Sequence, residues 1–159
     1  MERQMLWISV ASGIVLMGIL LLGFLFRNVG TCRDFNQAKL QIGSNILDVA
    51  VATTSAEKTR GLAGCQAIPR NAGMYFPGQE KGRPVYWMKG MVIPIDIVWI
   101  ADGKVVQVTA NVPPAPATKD IELPRYSPDT PIDSVLEVGA GKAQEYGLAP
   151  GVTVQYIPE

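Results

Sequence analysis

Two carboxylates that interrupt apolar stretches are the residues best suited to chemistry in this sequence. Asp96 stands among isoleucines and a valine, and Glu137 stands among valines and a leucine. If both side chains met in one cleft, they could act as the acid and the base of a glycoside hydrolase. In the alternative, each buried carboxylate has a structural hydrogen bond or ion pair, for which Arg60 and Lys89 are available. We favour the structural role, because the sequence fixes neither the separation nor the pKa of the two carboxylates.

A second candidate site surrounds Lys89, which follows Trp87 and Met88 and precedes Met91. A surface that carries a tryptophan, methionines and a cation could bind an aromatic compound, a sugar or a peptide. The same residues could form the core face of a strand, and we favour the core for Trp87 and Met88 and solvent for Lys89. The candidate binding residues are Arg60, Trp87, Lys89, Asp96 and Glu137, and the candidate catalytic residues are Asp96 and Glu137.

Composition and spacing argue against several classes of function. The 159 residues include no histidine and two cysteines, which excludes Ser-His and Cys-His catalysis and the common zinc sites. Fourteen basic residues balance fourteen acidic ones, so a dedicated nucleic-acid binder is not expected. Gly139–Lys142 resembles a phosphate loop only superficially, because Leu136 and Ala143 stand where that loop needs a glycine and a Ser or Thr. No acidic run has EF-hand spacing, and we expect no nucleotide, metal or other cofactor.

The N-terminal part of the chain predicts a membrane anchor. Met5–Phe26 is an uncharged stretch of 22 residues that ends at Arg27. As a helix it would be roughly 33 Å long, enough to cross a hydrocarbon core of roughly 30 Å. A cleaved signal peptide and a lipoprotein signal ending at Cys32 are the alternatives, but no good cleavage site follows the stretch. We predict an uncleaved single-pass transmembrane anchor at residues 1–27, with the lipid bilayer as its partner.

The remainder of the chain is rich in β-branched residues and in Gly and Pro. We predict a juxtamembrane linker at residues 28–44 and a β-rich globular domain at residues 45–159. Two short helices are expected, one after the capping-box pattern that starts at Thr54 and one at Ala140–Tyr146. Strands are predicted at Ile46–Thr53, Gly73–Phe76, Arg83–Met88, Ile93–Ile100, Lys104–Ala110, Ser134–Gly139 and Val152–Ile157.

Turn signals complete the expected fold. Asp102-Gly103 between two predicted strands is typical of a hairpin. Six prolines in residues 113–131 predict a long surface loop, since such a density resists both helix and central strand. The fold class that follows is mainly β (α+β), a small compact β-barrel-like domain preceded by one transmembrane helix.

The two cysteines leave two interpretations open. Cys32 and Cys65 could pair in an oxidising compartment and close a long loop. They could instead have separate roles, as a lipidation candidate and a small buried residue. We favour separate roles, because Cys32 falls in the predicted linker.

A series of motifs in fixed order resembles domain-of-unknown-function family 192. The motifs that carry the resemblance are Glu57-Lys-Thr-Arg-Gly-Leu62, Gly73-Met-Tyr-Phe76, Trp87-Met-Lys89, Ile93-Pro-Ile-Asp-Ile97, Val135-Leu-Glu-Val-Gly-Ala-Gly141 and Gly147-Leu-Ala-Pro-Gly151. The resemblance covers about residues 46–157 and implies a compact β-rich domain, often exported or membrane-anchored, without an established enzyme activity. The sequence departs from the family pattern at Ala63, where a Met is usual, and at Gly90, where an Asn is common.

The orientation of the predicted anchor is decided by opposing signals. Arg27, Arg33 and Lys39 follow the apolar stretch, so counting Lys and Arg favours a cytoplasmic domain. However, Lys39 lies 13 residues beyond the stretch, near the limit of the range where the rule acts. The four-residue N-terminal tail is typical of export signals, and the resemblance also favours exported forms. We predict an extracytoplasmic domain, periplasmic or extracellular.

These observations predict a membrane-anchored binding or structural module at the extracytoplasmic face, and they lean against an enzyme. A membrane-associated protein is the partner we would expect beside the bilayer, with no nucleic acid or nucleotide. The alternatives are a carboxylate-dependent hydrolase that uses Asp96 and Glu137, or an exported protein with a cleaved signal.

Overall fold

The computed structural model describes residues 32–78, 80–115 and 119–158. Two short α-helices, α1 (Ser55–Arg60) and α2 (Lys142–Glu145), and a 3₁₀ turn at Asp120–Glu122 accompany the strands. The nine strands are β1 (Ala38–Ile42), β2 (Asn45–Val51), β3 (Ala72–Phe76), β4 (Tyr86–Trp87), β5 (Ile95–Ala101), β6 (Lys104–Val112), β7 (Arg125–Tyr126), β8 (Ser134–Gly139) and β9 (Val154–Pro158).

Seven of the strands form one curled sheet in the order β6-β5-β8-β3-β2-β1-β9. All neighbours are antiparallel except β2 and β3, whose connection carries α1 across the sheet. The two edge strands approach each other at one end, where the amide of Val105 donates to the carbonyl of Val152 at 2.9 Å and the amide of Gly151 donates to Val105 at 2.8 Å. The predicted mainly β class is confirmed, and the sheet curls into a half-barrel.

Local sequence signals explain two of the connections. Thr54 caps α1 and forms the predicted capping box with Glu57, and the helix ends at Gly61. The β5–β6 hairpin turns at Asp102 and Gly103, both of which have a positive φ. Positive φ at both central residues is the geometry of the two-residue turn that matches the twist of the strands.

Both faces of the sheet are buried, because connections and α2 cover them. Along each strand, alternate residues belong to opposite faces. One face packs against α2 and carries Leu40, Val49, Val98, Leu136 and Val138, with Tyr146 at the end of α2 in the same cluster. The other face carries Met74, Phe76, Trp99 and Val135, which cluster with Leu62, Cys65 and Met88 of the connections. We call the second one the loop-covered face.

The predicted linker at residues 28–44 is wrong over its second half. β1 lies within it and pairs with both β2 and β9, and Phe35 before it is only 4% exposed. The physical signal was present: Ala38, Leu40 and Ile42 alternate with Lys39 and Gln41, a period of two that buries one face. The globular fold therefore begins well before residue 45.

Part of the proline-rich segment forms a strand that was not predicted. Within residues 113–131, β7 pairs with β4 to form a separate two-stranded ribbon. This ribbon aligns Trp87 with Arg125, and it lies beside the candidate site described below.

Over the described ranges, no helix is both long and apolar enough to cross a membrane. The anchor predicted at residues 1–27 lies outside those ranges.

Candidate functional site

Glu137 is the centre of the candidate site. It lies in the middle of β8, aligned with Met74 of β3 and Ile97 of β5, and its side chain points to the loop-covered face. The residue is 6% exposed, and its Oε2 atom has no hydrogen-bond partner in the described part of the chain. Burial raises the pKa of the carboxyl to about 8, because the charged form loses hydration. At neutral pH the group is therefore mostly protonated.

A cavity of about 290 Å³ opens above Glu137. Its apolar walls come from Leu62, Tyr86, Trp87 and Met91, and its basic residues are Lys58, Arg60 and Lys89. The end of α1, the loop after it and strand β4 supply these walls. An apolar cavity with a few polar groups directed into it has the usual character of a small-molecule site.

Four of the five predicted binding residues meet at this cavity, namely Arg60, Trp87, Lys89 and Glu137. Trp87 was expected in the core, but it is only partly buried and faces the cavity. Met88, its neighbour, is 1% exposed and packs in the core as predicted.

Asp96 does not join them. It lies on β5 aligned with Val138, and alternation along the strands places its side chain on the face opposite to that of Glu137. Its two oxygens accept hydrogen bonds from the amides of Asn111 at 2.8 Å and Ala143 at 2.9 Å. The converging acid–base pair of the hydrolase hypothesis is therefore absent, and Asp96 has the structural role that the sequence favoured, although its partners are backbone amides.

For Glu137, in contrast, the expected structural hydrogen bond or ion pair is not found at Oε2. Arg60 and Lys89, the partners considered for it, line the same cavity without bonding to that oxygen. A buried polar atom without a partner is costly, so this oxygen calls for a functional explanation.

The basic residues of the site differ in how their charge is balanced. Lys89 forms an ion pair with Asp120 at 2.6 Å, so it is not simply solvated. Lys58 and Arg60 form no ion pair with any residue of the described ranges. The mouth of the cavity therefore carries an excess of positive charge.

Tyr86 is the site residue that sequence reasoning missed. Its ring packs edge-on against Phe76 at 5.5 Å and Trp99 at 5.4 Å between centroids. Desolvation raises the pKa of its hydroxyl, and the nearby charge of Glu137 adds to the effect. The only sequence signal was its place in a predicted strand next to Trp87.

The loop from Gly61 to Cys65 forms one wall of the site and is fastened from two sides. The Arg33 guanidinium donates to the carbonyl of Gly61, with Nε at 2.9 Å, and to the carbonyl of Ala63 at 3.5 Å. Cys65 forms a disulfide with Cys32, with 5.1 Å between their Cα atoms. The interpretation that the cysteines have separate roles is wrong, because the chain before β1 folds back onto this loop.

The two positions that depart from the family pattern lie against each other. A Cβ atom on Gly90 would be 3.3 Å from the Cβ of Ala63, and the amide of Gly64 donates to the carbonyl of Gly90 at 2.9 Å. The two positions are therefore in close contact in this chain. Gly90 leaves Lys89 without the neighbouring Asn that is common in the family pattern.

A larger groove of about 710 Å³ adjoins the site and shares Lys58, Pro84 and Tyr86 with it. Asp133 and Glu80 line its far part. Across the described ranges, no group of three or more His, Cys, Asp or Glu side chains is arranged to hold a metal ion.

The family model DUF192, described as "Uncharacterized ACR", matches residues 38–156, and the chain belongs to this family. This confirms the resemblance seen in the motifs. No curated protein matches the chain.

Two solved structures share the fold. One, described as a protein of unknown function from Novosphingobium aromaticivorans, is 28% identical with a TM-score of 0.65, over 74% of this chain and 83% of that one. The other, described as a putative transcription regulator from Sinorhizobium meliloti, is 24% identical with a TM-score of 0.66, over 75% of this chain and 92% of that one. At 24% identity the second likeness concerns the fold alone.

Proposed function

We propose that this member of the DUF192 family is a membrane-tethered, extracytoplasmic binding module that holds a small ligand in the cavity above Glu137. The proposal has two parts, the ligand site and the location of the domain, and they have separate support.

The main support for a ligand site is the Oε2 atom of Glu137, which has no hydrogen-bond partner among the described residues. Leaving a buried polar atom without a hydrogen bond costs about 1–3 kcal/mol, and a stable fold would avoid this cost by placing an apolar residue there. The cost is recovered when a ligand in the cavity supplies the missing hydrogen bond. Trp87 and Tyr86 beside it offer apolar contact area of the kind that ligand sites use.

Binding is favoured over hydrolysis because the site has one buried carboxyl group. The two-carboxylate mechanism needs a second acid roughly 5 to 9.5 Å from the first, and Asp96 faces the other side of the sheet. Among the residues that line the cavity, Glu137 is the sole acidic one.

The disulfide supports the second part. Cys32–Cys65 joins residues 33 positions apart, and such bonds persist in oxidising compartments such as the periplasm or the cell exterior. Cys32 follows the end of the apolar stretch Met5–Phe26 by six residues. An uncleaved anchor at that stretch would tether the domain, with its N-terminal amine on the inner side.

The ligand site is tested by native mass spectrometry of the full chain, extracted from membranes in a mild detergent. We expect a co-purified small molecule on the wild type, and we expect it to be absent from Glu137→Leu, which removes the polar group without opening a hole. Glu145→Gln, an acid on α2, serves as the matched control and should retain the molecule. If wild type and Glu137→Leu carry the same molecules in the same amounts, the cavity is not the binding site.

A further inference from the structure

We infer that the ligand of this site is a sugar acid, a hydroxylated organic anion of monosaccharide size. The inference rests on the proposed function and adds the chemistry of the ligand. Three features of the cavity support this inference: its positive charge, the unpartnered oxygen of Glu137 and its aromatic wall.

The charge of the cavity favours an anion. Lys58 and Arg60 line it without ion-pair partners in the described ranges. Arg33 adds to the surplus: its pKa is lowered by desolvation and by the nearby charge of Arg60. A cationic ligand would meet like charges at the mouth, whereas a carboxylate would pair with the Arg60 guanidinium in the bidentate geometry that Arg favours.

The Oε2 atom of Glu137 favours a hydroxyl group on the buried end of the ligand. A hydroxyl both donates and accepts, so it can pair with a carboxyl group whether or not the carboxyl is protonated. A ligand carboxylate in the same place could pair only with the protonated form of Glu137, whereas the basic side chains that favour a negative charge, Lys58 and Arg60, are exposed. The anionic end therefore lies at the mouth and the hydroxylated end at the bottom.

The aromatic wall and the volume suit a ring with an apolar face. Tyr86 and Trp87 line the cavity beside Leu62 and Met91, and Arg125 lies over the Trp87 ring, 4.8 Å from its centroid. A cavity of about 290 Å³ has room for one pyranose ring and its substituents.

The test compares three sugars that share the same pyranose ring but differ in charge: D-glucuronate is an anion, D-glucose is neutral and D-glucosamine is a cation. Isothermal titration calorimetry is done on the full chain in lipid nanodiscs at low ionic strength and pH 7. We expect glucuronate to bind about tenfold more tightly than glucose, the contribution of one charge-assisted pair, and glucosamine to bind most weakly. High salt should reduce the preference for glucuronate.

Matched variants decide whether the charge preference arises at this site. The double variant Lys58→Gln/Arg60→Gln should bind glucuronate and glucose equally, because it removes the unpaired cations. The control Arg70→Gln/Lys104→Gln removes two exposed cations elsewhere and should keep the preference. All four residues are exposed, so all variants are expected to fold.

Three results would overturn the inference: equal affinity for glucuronate and glucose in the wild type, tighter binding of glucosamine, or binding of none of the three sugars. In each case the proposed function is judged separately by the co-purified molecule. If a small molecule co-purifies with the wild type but not with Glu137→Leu, the protein is still a binding module, and its ligand belongs to another chemical class. If no molecule co-purifies and no sugar binds, both the proposed function and the sugar-acid inference are wrong.

Discussion

Asp96 and Glu137 lie on neighbouring strands but point to opposite faces of the sheet, because Asp96 is aligned with Val138 and Glu137 with Ile97. This offset of one residue gives the two acids different environments. Asp96 accepts hydrogen bonds from two backbone amides, whereas Glu137 leaves one oxygen without a partner beside a cavity. Asp96 therefore stabilises the fold through its hydrogen bonds, whereas Glu137 has an oxygen that a ligand in the cavity could contact.

The first prediction concerns Asp96→Ala, which should destabilise the domain without changing its ligand preference. The substitution leaves the buried amide of Ala143 without an acceptor, at about 1–3 kcal/mol, and it removes the hydrogen bond from the amide of the exposed Asn111, at about 1 kcal/mol. The unfolding free energy should fall by about 2–4 kcal/mol in denaturant titration. Asp96→Asn keeps one acceptor oxygen and should lose less. An Asp96→Ala variant of unchanged stability that no longer binds ligand would reverse the assignment.

The second prediction concerns the pH dependence of stability. Glu137 has a pKa of about 8 in the folded protein against an ordinary value of 4.5. Between these values the folded state holds a proton that the unfolded state has released, so the unfolding free energy falls as pH rises. The stabilising contribution is fully present below about pH 4.5 and is lost through about pH 8, a total of a few kcal/mol.

Glu137→Gln removes this titration while keeping the shape of the side chain. The stability difference between Glu137→Gln and the wild type should therefore grow in favour of the variant as pH rises from 5 to 8. Denaturant titrations at several pH values measure it, and the contributions of other acids cancel in the difference. Parallel pH profiles for the two proteins would contradict the burial of a titrating Glu137.

The helix cap and the hairpin turn could be predicted from the sequence, because the residues that form each of them are neighbours along the chain. The capping box at Thr54 and the hairpin at Asp102 depend on neighbouring residues, and both appear as predicted. The Cys32–Cys65 disulfide joins residues 33 positions apart, and no local pattern reports which distant segments meet. The same holds for Asp96 and Glu137, since alternation assigns a face within one strand but not the register between strands. The sequence therefore identified a set of residues, four of which meet at the cavity. The hydrogen bonds of Asp96 and the unpartnered oxygen of Glu137 could be found only from the fold.

The third prediction concerns the disulfide. Replacing both cysteines, as Cys32→Ser/Cys65→Ser, releases a loop whose closure entropy corresponds to about 3–4 kcal/mol at this length. The unfolding free energy should fall by about that amount, and reduction of the wild type with dithiothreitol should reproduce it. Because Cys65 ends the loop that begins at Gly61 and forms one wall of the site, the double variant should also bind ligand more weakly than the wild type. A double variant as stable as the oxidised wild type would show that the disulfide contributes nothing.

The fourth prediction concerns Gly73, which lies in β3 against the backbone of β8. A Cβ atom there would be 2.7 Å from the carbonyl oxygen of Glu137 and 2.9 Å from Leu136 Cδ1. Gly73→Ala should therefore push the two strands apart and cost about 1–3 kcal/mol or more. Gly82→Ala is the control, since nothing lies within 4 Å of its added methyl group. Equal melting temperatures for the two variants would contradict the close approach of β3 and β8.

The last prediction concerns the location of the domain, where charge and disulfide give opposing signals. Arg27 and Arg33 favour the cytoplasm, whereas the Cys32–Cys65 disulfide needs an oxidising compartment to persist. We give the disulfide more weight than the charge count. Arg33 donates hydrogen bonds to the carbonyls of Gly61 and Ala63, so its presence is explained by the fold and need not reflect membrane orientation. Protease added to spheroplasts should therefore digest the domain while a cytoplasmic marker survives. The chain extracted from membranes should show an intact mass near 17.2 kDa and no free thiol before reduction. Protection of the domain until the inner membrane is broken, or a mature chain that begins between residues 28 and 33, would refute the tethered extracytoplasmic arrangement.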